Sequence, residues 1–119
     1  MRHMDVKKLV QLVAEFRDKR DWKQFHNPKD LAISISIEAG ELLELFQWKN
    51  ETEAKAILAD PAKRKRVEEE LADIMIFCLS MSDATGIDIE EAVMKKLEQN
   101  EKKYPIEKAK GSAKKYTEL

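Results

Sequence analysis

Residues 31–48 read LAISISIEAGELLELFQW, and the assignment of this stretch decides the fold. Its first seven residues alternate with a period of two, the signature of a strand, whereas Glu38–Trp48 is composed of helix formers. No breaker stands between Pro28 and Asn50, and no other segment reads as a partner strand. The whole of Pro28–Lys49 is therefore expected to be one helix. It is apolar nearly all round, which predicts a central, buried element.

Two acidic pairs sit in apolar surroundings. Glu38 and Glu41 lie inside the stretch just quoted, and Glu70 and Asp73 run directly into Ile74–Leu79, IMIFCL. Carboxylates three residues apart on a helix share one face. A carboxylate buried among Ile, Leu and Phe without a partner costs several kcal/mol, so such groups normally pair or bind a metal. Two pairs on facing helices would bring four oxygen donors to one hard cation. With no His or Cys at ligand spacing, Mg²⁺ fits best and Mn²⁺ is a substitute. The competing reading is a set of salt bridges to Lys or Arg from neighbouring helices. Gly40, inside the first pair, implies a close approach by another helix or a ligand, because glycine in mid-helix is unfavourable by ~1 kcal/mol. Glu44 either supports the metal shell or orients a water, or it belongs to a solvated helix face.

The rest of the chain supplies further helices. The first runs over Asp5–Arg20 with an apolar stripe of Val6, Leu9, Val10, Val13 and Phe16. Asp21–Asn27 is a connector, and Asn27-Pro28 an N-cap followed by Pro at the first helical position. A short helix covers Thr52–Ala59. Asp60-Pro61 repeats the cap signal and opens a helix to Ala84, in which Val67, Leu71, Ile74, Cys78 and Met81 form a packing seam. Gly86 ends it, and Asp88 with Glu91 begins a fifth helix that stops at Lys103, with Val93 and Leu97 facing inward. Ile106–Leu119 has no periodicity and reads as a mobile tail or a subunit clasp. The fold class is all-α: an antiparallel four-helix bundle with a short extra helix, in one domain spanning 1–119.

Composition narrows the function. The 119 residues carry 22 basic and 23 acidic side chains for a net charge of −1, so bulk charge gives no case for nucleic acid or an anionic membrane surface. The apolar runs fall short of the ~20 residues a membrane span needs, and no leader is visible, which points to the cytoplasm. Cys78 is alone, which precludes an intrachain disulfide and reads as a core thiol. Met1-Arg2-His3, ahead of a second methionine at Met4, is read as an expression remnant and given no function. Long apolar helices on so short a chain imply burial between subunits.

Two further groups bear on chemistry. Lys96, Asn100 and Lys103 share one face of the fifth helix, a set suited to polyphosphate oxygens or simply a solvated face. Trp22, Phe25 and His26 precede the second helix, Trp48 closes it, and Phe77 lies one turn beyond Asp73. These could stack a nucleobase or pack in the core. His26 by itself reads as a structural imidazole.

Taken together, residues 20–26 (RDWKQFH), 38–48 (EAGELLELFQW) and 70–73 (ELAD) resemble the MazG-like all-α nucleoside triphosphate pyrophosphohydrolases, and within them the small dCTP pyrophosphatase branch. Residues 100–105 (NEKKYP) and 111–117 (GSAKKYT) extend the likeness over nearly the whole chain. The family pattern is E-x-x-E, a spacer, then E-x-x-D; here 28 residues (42–69) form the spacer, at the long end of the family's range. The resemblance implies that Glu38, Glu41, Glu70 and Asp73 bind Mg²⁺, with Glu41 the catalytic candidate. It implies attack by water between the α- and β-phosphates, giving a nucleoside monophosphate and pyrophosphate. It further implies that Lys96 and Asn100, and more weakly Lys103 and Tyr104, contact phosphate or sugar, and that Trp22, His26, Trp48 and Phe77 shape the base pocket. The branch commonly has Tyr where this chain has Phe77, which removes a hydroxyl. A homodimer or homotetramer follows from the same likeness. Two rivals stand beside it: a non-catalytic helical module, and a di-iron carboxylate bundle. The second wants Glu-x-x-His pairs, and neither His3 nor His26 is so placed.

Overall fold

The computed structural model describes residues 4–119; Met1-Arg2-His3 lie outside the described residues. The described residues are helical, with no strand among them, as the sequence predicts. The helices are α1 Val6–Asp18, α2 Pro28–Glu44, α3 Glu51–Ala59, α4 Pro61–Thr85, α5 Ile89–Lys103 and the single turn α6 Ile106–Ala109. Short 3₁₀ turns occupy Lys23–Phe25 and Tyr116–Glu118. The chain forms two compact units, Met1–Ile87 and Asp88–Leu119.

In the first unit α4 is the hub. It packs along α2, α1 and α3. The expectation that α2 would be the buried centre is therefore corrected. Of its apolar residues only Leu31 is buried, while Ile33, Ile37 and Leu43 are largely exposed. A helix apolar on every side can cover only one side within a single short chain. Leu31, Ile57 and Leu79, from α2, α3 and α4, form the fully enclosed core, each contributing roughly 1.5–3 kcal/mol by leaving water. Along the α4 seam Val67, Ile74, Cys78 and Met81 are half-buried, but Leu71 is exposed.

Local rules set most boundaries. Asp5 caps α1 through Lys8 N–H at 2.7 Å, and Asn27 caps α2 through Asp30 N–H at 2.9 Å with Pro28 following. Asn50 and Glu53 form a reciprocal capping box on α3, which the sequence reading passed over. Gly86 closes α4 with φ +71, a left-handed conformation that favours glycine. α2 stops at Glu44, not Lys49. Its last turn tightens into three-residue hydrogen bonds from Leu45, Phe46 and Gln47, and Trp48 takes φ +66, an unusual conformation for a bulky residue. No Gly or Asn marks that stop, so periodicity alone ran the helix five residues too far.

The second unit begins at the Asp88 cap, whose carboxylate accepts from Glu91 N–H at 3.1 Å. Val93 and Leu97, expected to face inward, are about half exposed. The segment after Lys103 is not featureless: besides α6, Tyr116 stands edge-on to Tyr104 at 6.1 Å, and the Lys103 ammonium lies 4.8 Å from its ring centre.

One strong polar tie was not foreseen. The apolar stripe of α1 ends at Val13; Phe16 is 51% exposed, whereas Arg17 is 4% exposed. Arg17 donates to Asp83 on α4 at 2.7 Å and to Asp18 at 2.9 Å, and its carbonyl accepts from Trp22 N–H at 3.1 Å. Removing one partner of a buried pair is strongly destabilising, and rehydration of the partly exposed aspartates discounts that loss. Arg17→Ala is expected to lower stability by about 2 kcal/mol in urea unfolding, against no change for the exposed Lys7→Ala. Equal midpoints for both variants would contradict this account of the α1–α4 contact.

Candidate metal centre

Packing of α2 on α4 sets the two acid pairs against each other. Glu38, Glu41 and Glu70 each present a carboxylate oxygen within 4.8 Å of the other two. Asp73, one turn beyond Glu70, is exposed and falls outside that tight group, yet its charge is felt at both Glu38 and Glu70. Three of the four expected carboxylates thus converge, with the fourth beside them.

Among the described residues every ion pair lies elsewhere, so none of these acids is salt-bridged to a Lys or Arg of a neighbouring helix. Oε2 of Glu38 and Oε2 of Glu70 are buried without a hydrogen-bond partner. Ionised carboxylates only accept hydrogen bonds, so clustered ones need a shared proton or a cation. Burial first, and then the neighbouring Glu41 and Glu70 carboxyls with the charge of Asp73, push the Glu38 carboxyl up to about 7. The Glu70 carboxyl is also raised, chiefly by burial, with Glu41 and the charge of Asp73 adding to it and the nearby Glu38 carboxyl pulling the other way. The all-oxygen donor set and the two orphaned oxygens fit a hard divalent cation.

Gly40 lies between the first two acids. Among the described residues nothing comes within 4 Å of where its Cβ would stand, so the close approach expected there is not made by this chain. Glu44, one turn beyond Glu41, is exposed. It lines a cavity of about 230 Å³ with Leu45, Lys49, Ile57, Lys63 and Arg66. The sequence reading did not select this cavity, although the run Lys63–Arg66 (KRKR) was a visible signal.

The aromatic candidates divide. Trp22 and His26 are neighbours, with ring centres 6.5 Å apart, and Phe16 adds an edge-on contact to Trp22 at 5.9 Å. His26 Nδ1 is buried and unpartnered, a poor match to an already satisfied structural imidazole. Trp48 is 88% exposed, and Phe25 is 61% exposed. Among the described residues neither Trp48 nor Phe77 stacks on another ring. In the second unit Lys96 is exposed, Asn100 half-buried, and Lys103 and Tyr104 are engaged with Tyr116.

The raised carboxyl has a thermodynamic consequence. Between the ordinary glutamate value and about 7, the folded protein binds more protons at Glu38 than the unfolded chain does, so stability falls as pH rises through that window. The melting temperature of metal-free protein is expected to drop from pH 5 to pH 8, and a divalent cation to restore it most at the higher pH. A flat profile with no cation effect would contradict the shared-proton arrangement.

The chain matches the MazG-like family over residues 33–119. It is 42% identical over 108 residues to dCTP pyrophosphatase 1 of Mus musculus, covering 91% of this chain and 64% of that protein. Its identity to dCTP pyrophosphatase 1 of Homo sapiens is 41% over the same number of residues and with the same coverage. The chain therefore spans less than two thirds of the length of the curated relatives it matches. A pyrophosphatase from Archaeoglobus fulgidus, solved by crystallography, superposes with a TM-score of 0.79 and 44% identity, covering 88% of this chain and 96% of that one. With that match running through both acid pairs and onward to Leu119, the chain belongs to the MazG-like family.

Proposed function

We propose that this protein is a Mg²⁺-dependent nucleoside triphosphate pyrophosphohydrolase, converting a (d)NTP to the monophosphate and pyrophosphate. The observation that carries the reading is the pair of buried, unpartnered oxygens on Glu38 and Glu70 beside Glu41, with no ion pair to them among the described residues. Family membership and the identity to dCTP pyrophosphatases support it. The substrate in this reading is dCTP or a related or modified nucleotide, as the name of those relatives suggests, and the role is cytoplasmic nucleotide-pool cleansing.

In this reading Glu38, Glu41, Glu70 and Asp73 hold the ion, and Mn²⁺ can replace Mg²⁺. When bound, the ion supplies Lewis acidity at the phosphates and charge compensation for the leaving group. The acids do the rest. Glu38 and Glu70, half-buried and mutually repelling, would serve as oxygen donors to the ion, the proton retained at Glu38 in the metal-free site passing to water. Glu41, exposed on the same face, can accept a proton from an attacking water. Trp22 and His26 form one wall for the base. Trp48 and Phe77 add apolar surface, while Lys96, Asn100, Lys103 and Tyr104 meet phosphate and sugar.

The chain acts in this reading as one catalytic domain, 1–119, in a homodimer or homotetramer. Support comes from the exposed Ile33, Ile37 and Leu43 on α2 and Leu71, Met75 and Ile76 on α4, apolar surface that another copy would cover.

Product analysis over a panel of nucleoside triphosphates, with Mg²⁺ and with chelator, tests the proposal. Monophosphate plus pyrophosphate, only with metal, is the expected result; diphosphate plus orthophosphate would overturn the bond assignment. Glu41→Ala and Asp73→Ala are expected to abolish turnover with an unchanged helical circular dichroism spectrum. Full activity in both would defeat the assignment of these carboxylates.

A further inference from the structure

The cavity beyond Glu41 carries an electrostatic imbalance of its own. Its walls are Lys49 after the end of α2, Lys63 and Arg66 in the first two turns of α4, Glu44, and the apolar Leu45 and Ile57. Three cations face one carboxylate. Among the described residues none of the three cations makes an ion pair, whereas their neighbours in the KRKR run do: Arg64 with Glu68 at 3.2 Å, and Lys65 with Glu69 at 4.0 Å. One helical turn on from Lys63 and Arg66 stand Val67 and Glu70, the first uncharged and the second committed to the carboxylate cluster.

The helix end makes this arrangement costlier. α4 opens with the N-cap Asp60, whose carboxylate accepts from Ala62 N–H at 3.0 Å, and has no acidic residue in its first turn. Lys63 adds positive charge near the positive end of the helix dipole. Cations gathered on one exposed rim repel one another, and an anion seated between them would relieve that repulsion.

We propose that this cavity is a binding site for a multiply charged phosphate anion, held by Lys49, Lys63 and Arg66. Arg66 can grip two phosphate oxygens at once and the two lysines act as point charges. Glu44 offsets one of the three cations, and the positive charge that remains attracts a multiply charged anion more strongly than a singly charged one. About 230 Å³ accommodates either anion but not a whole nucleotide. The anion has two sources, free inorganic (di)phosphate or the phosphate tail of a nucleotide whose remainder lies outside. Binding here needs no turnover, so the site stands independently of the hydrolase reading.

The test is calorimetric titration in chelator, where the carboxylate cluster cannot recruit phosphate through a metal. Inorganic diphosphate, orthophosphate and a non-hydrolysable nucleoside triphosphate are titrated into wild type. The same titrations are made into the triple variant Lys49→Gln, Lys63→Gln, Arg66→Gln, and into a control with equal charge removed from the first helical segment (Lys7→Gln, Lys8→Gln, Lys19→Gln). Wild type and control are expected to bind diphosphate, more weakly as salt rises, and the triple variant to bind at least tenfold more weakly. Diphosphate should raise the melting temperature of wild type but not of the triple variant. Because the substitutions relieve repulsion, the triple variant should melt no lower than wild type in phosphate-free buffer; should it unfold, Arg66→Gln alone carries the same comparison. A parallel loss for the triphosphate identifies a nucleotide tail as the ligand, and a loss confined to the inorganic anions identifies the free anion. Absence of diphosphate binding by wild type, or equal affinity in the triple variant and the control, would overturn the proposal. Either result is readable whether or not the protein hydrolyses a nucleotide.

Discussion

Repulsion among carboxylates that the fold forces together is the constraint on which the rest of this structure turns. Glu38, Glu41 and Glu70 converge between α2 and α4 with Asp73 alongside, and among the described residues no cation pairs with them. Such a cluster is tolerated with a retained proton, which is why the Glu38 carboxyl sits near 7, or with a divalent ion. Its persistence requires that α2 and α4 be held in register by contacts strong enough to resist it.

Those contacts lie at the ends of the helices. Leu31, Ile57 and Leu79 enclose apolar surface from α2, α3 and α4, and Arg17 ties α1 to Asp83 near the end of α4. Capping by Asn27 and Asp60, each followed by proline, fixes where α2 and α4 start and hence the phase at which each acid pair faces its partner. Toward the other end of α2 the electrostatics reverse. Past Glu44 the lining is dominated by Lys49, Lys63 and Arg66, so acidic and basic regions adjoin along the same two helices within about one turn.

Much of this was legible in the sequence because it rests on local chemistry. The caps, the Gly86 stop and the two acid pairs are written in adjacent residues, and the helical reading of LAISISI held because nothing could pair with it as a strand. What failed was long-range. Phe16 obeyed the apolar period yet is exposed, stacked under Arg20 with the guanidinium carbon 3.7 Å from its ring centre, while Arg17 next to it is buried by a partner 66 residues away. No periodicity encodes that pairing. The stop of α2 before Lys49 depends on a left-handed Trp48, which no residue type announces. The cationic cavity was visible only as a charge run, and two of its four members are indeed ordinary surface pairs.

The most direct test of the central claim is anomalous diffraction from crystals grown with Mn²⁺. The account predicts a strong peak between α2 and α4, with oxygens of Glu38, Glu41 and Glu70 at about 2.0–2.3 Å. The peak should be lost in a Glu38→Gln, Glu70→Gln variant that keeps the fold. Well-ordered carboxylates with no peak at saturating Mn²⁺, or a lysine or arginine from a second copy seated among them, would show that these acids are a structural ion-pair site and not a metal centre.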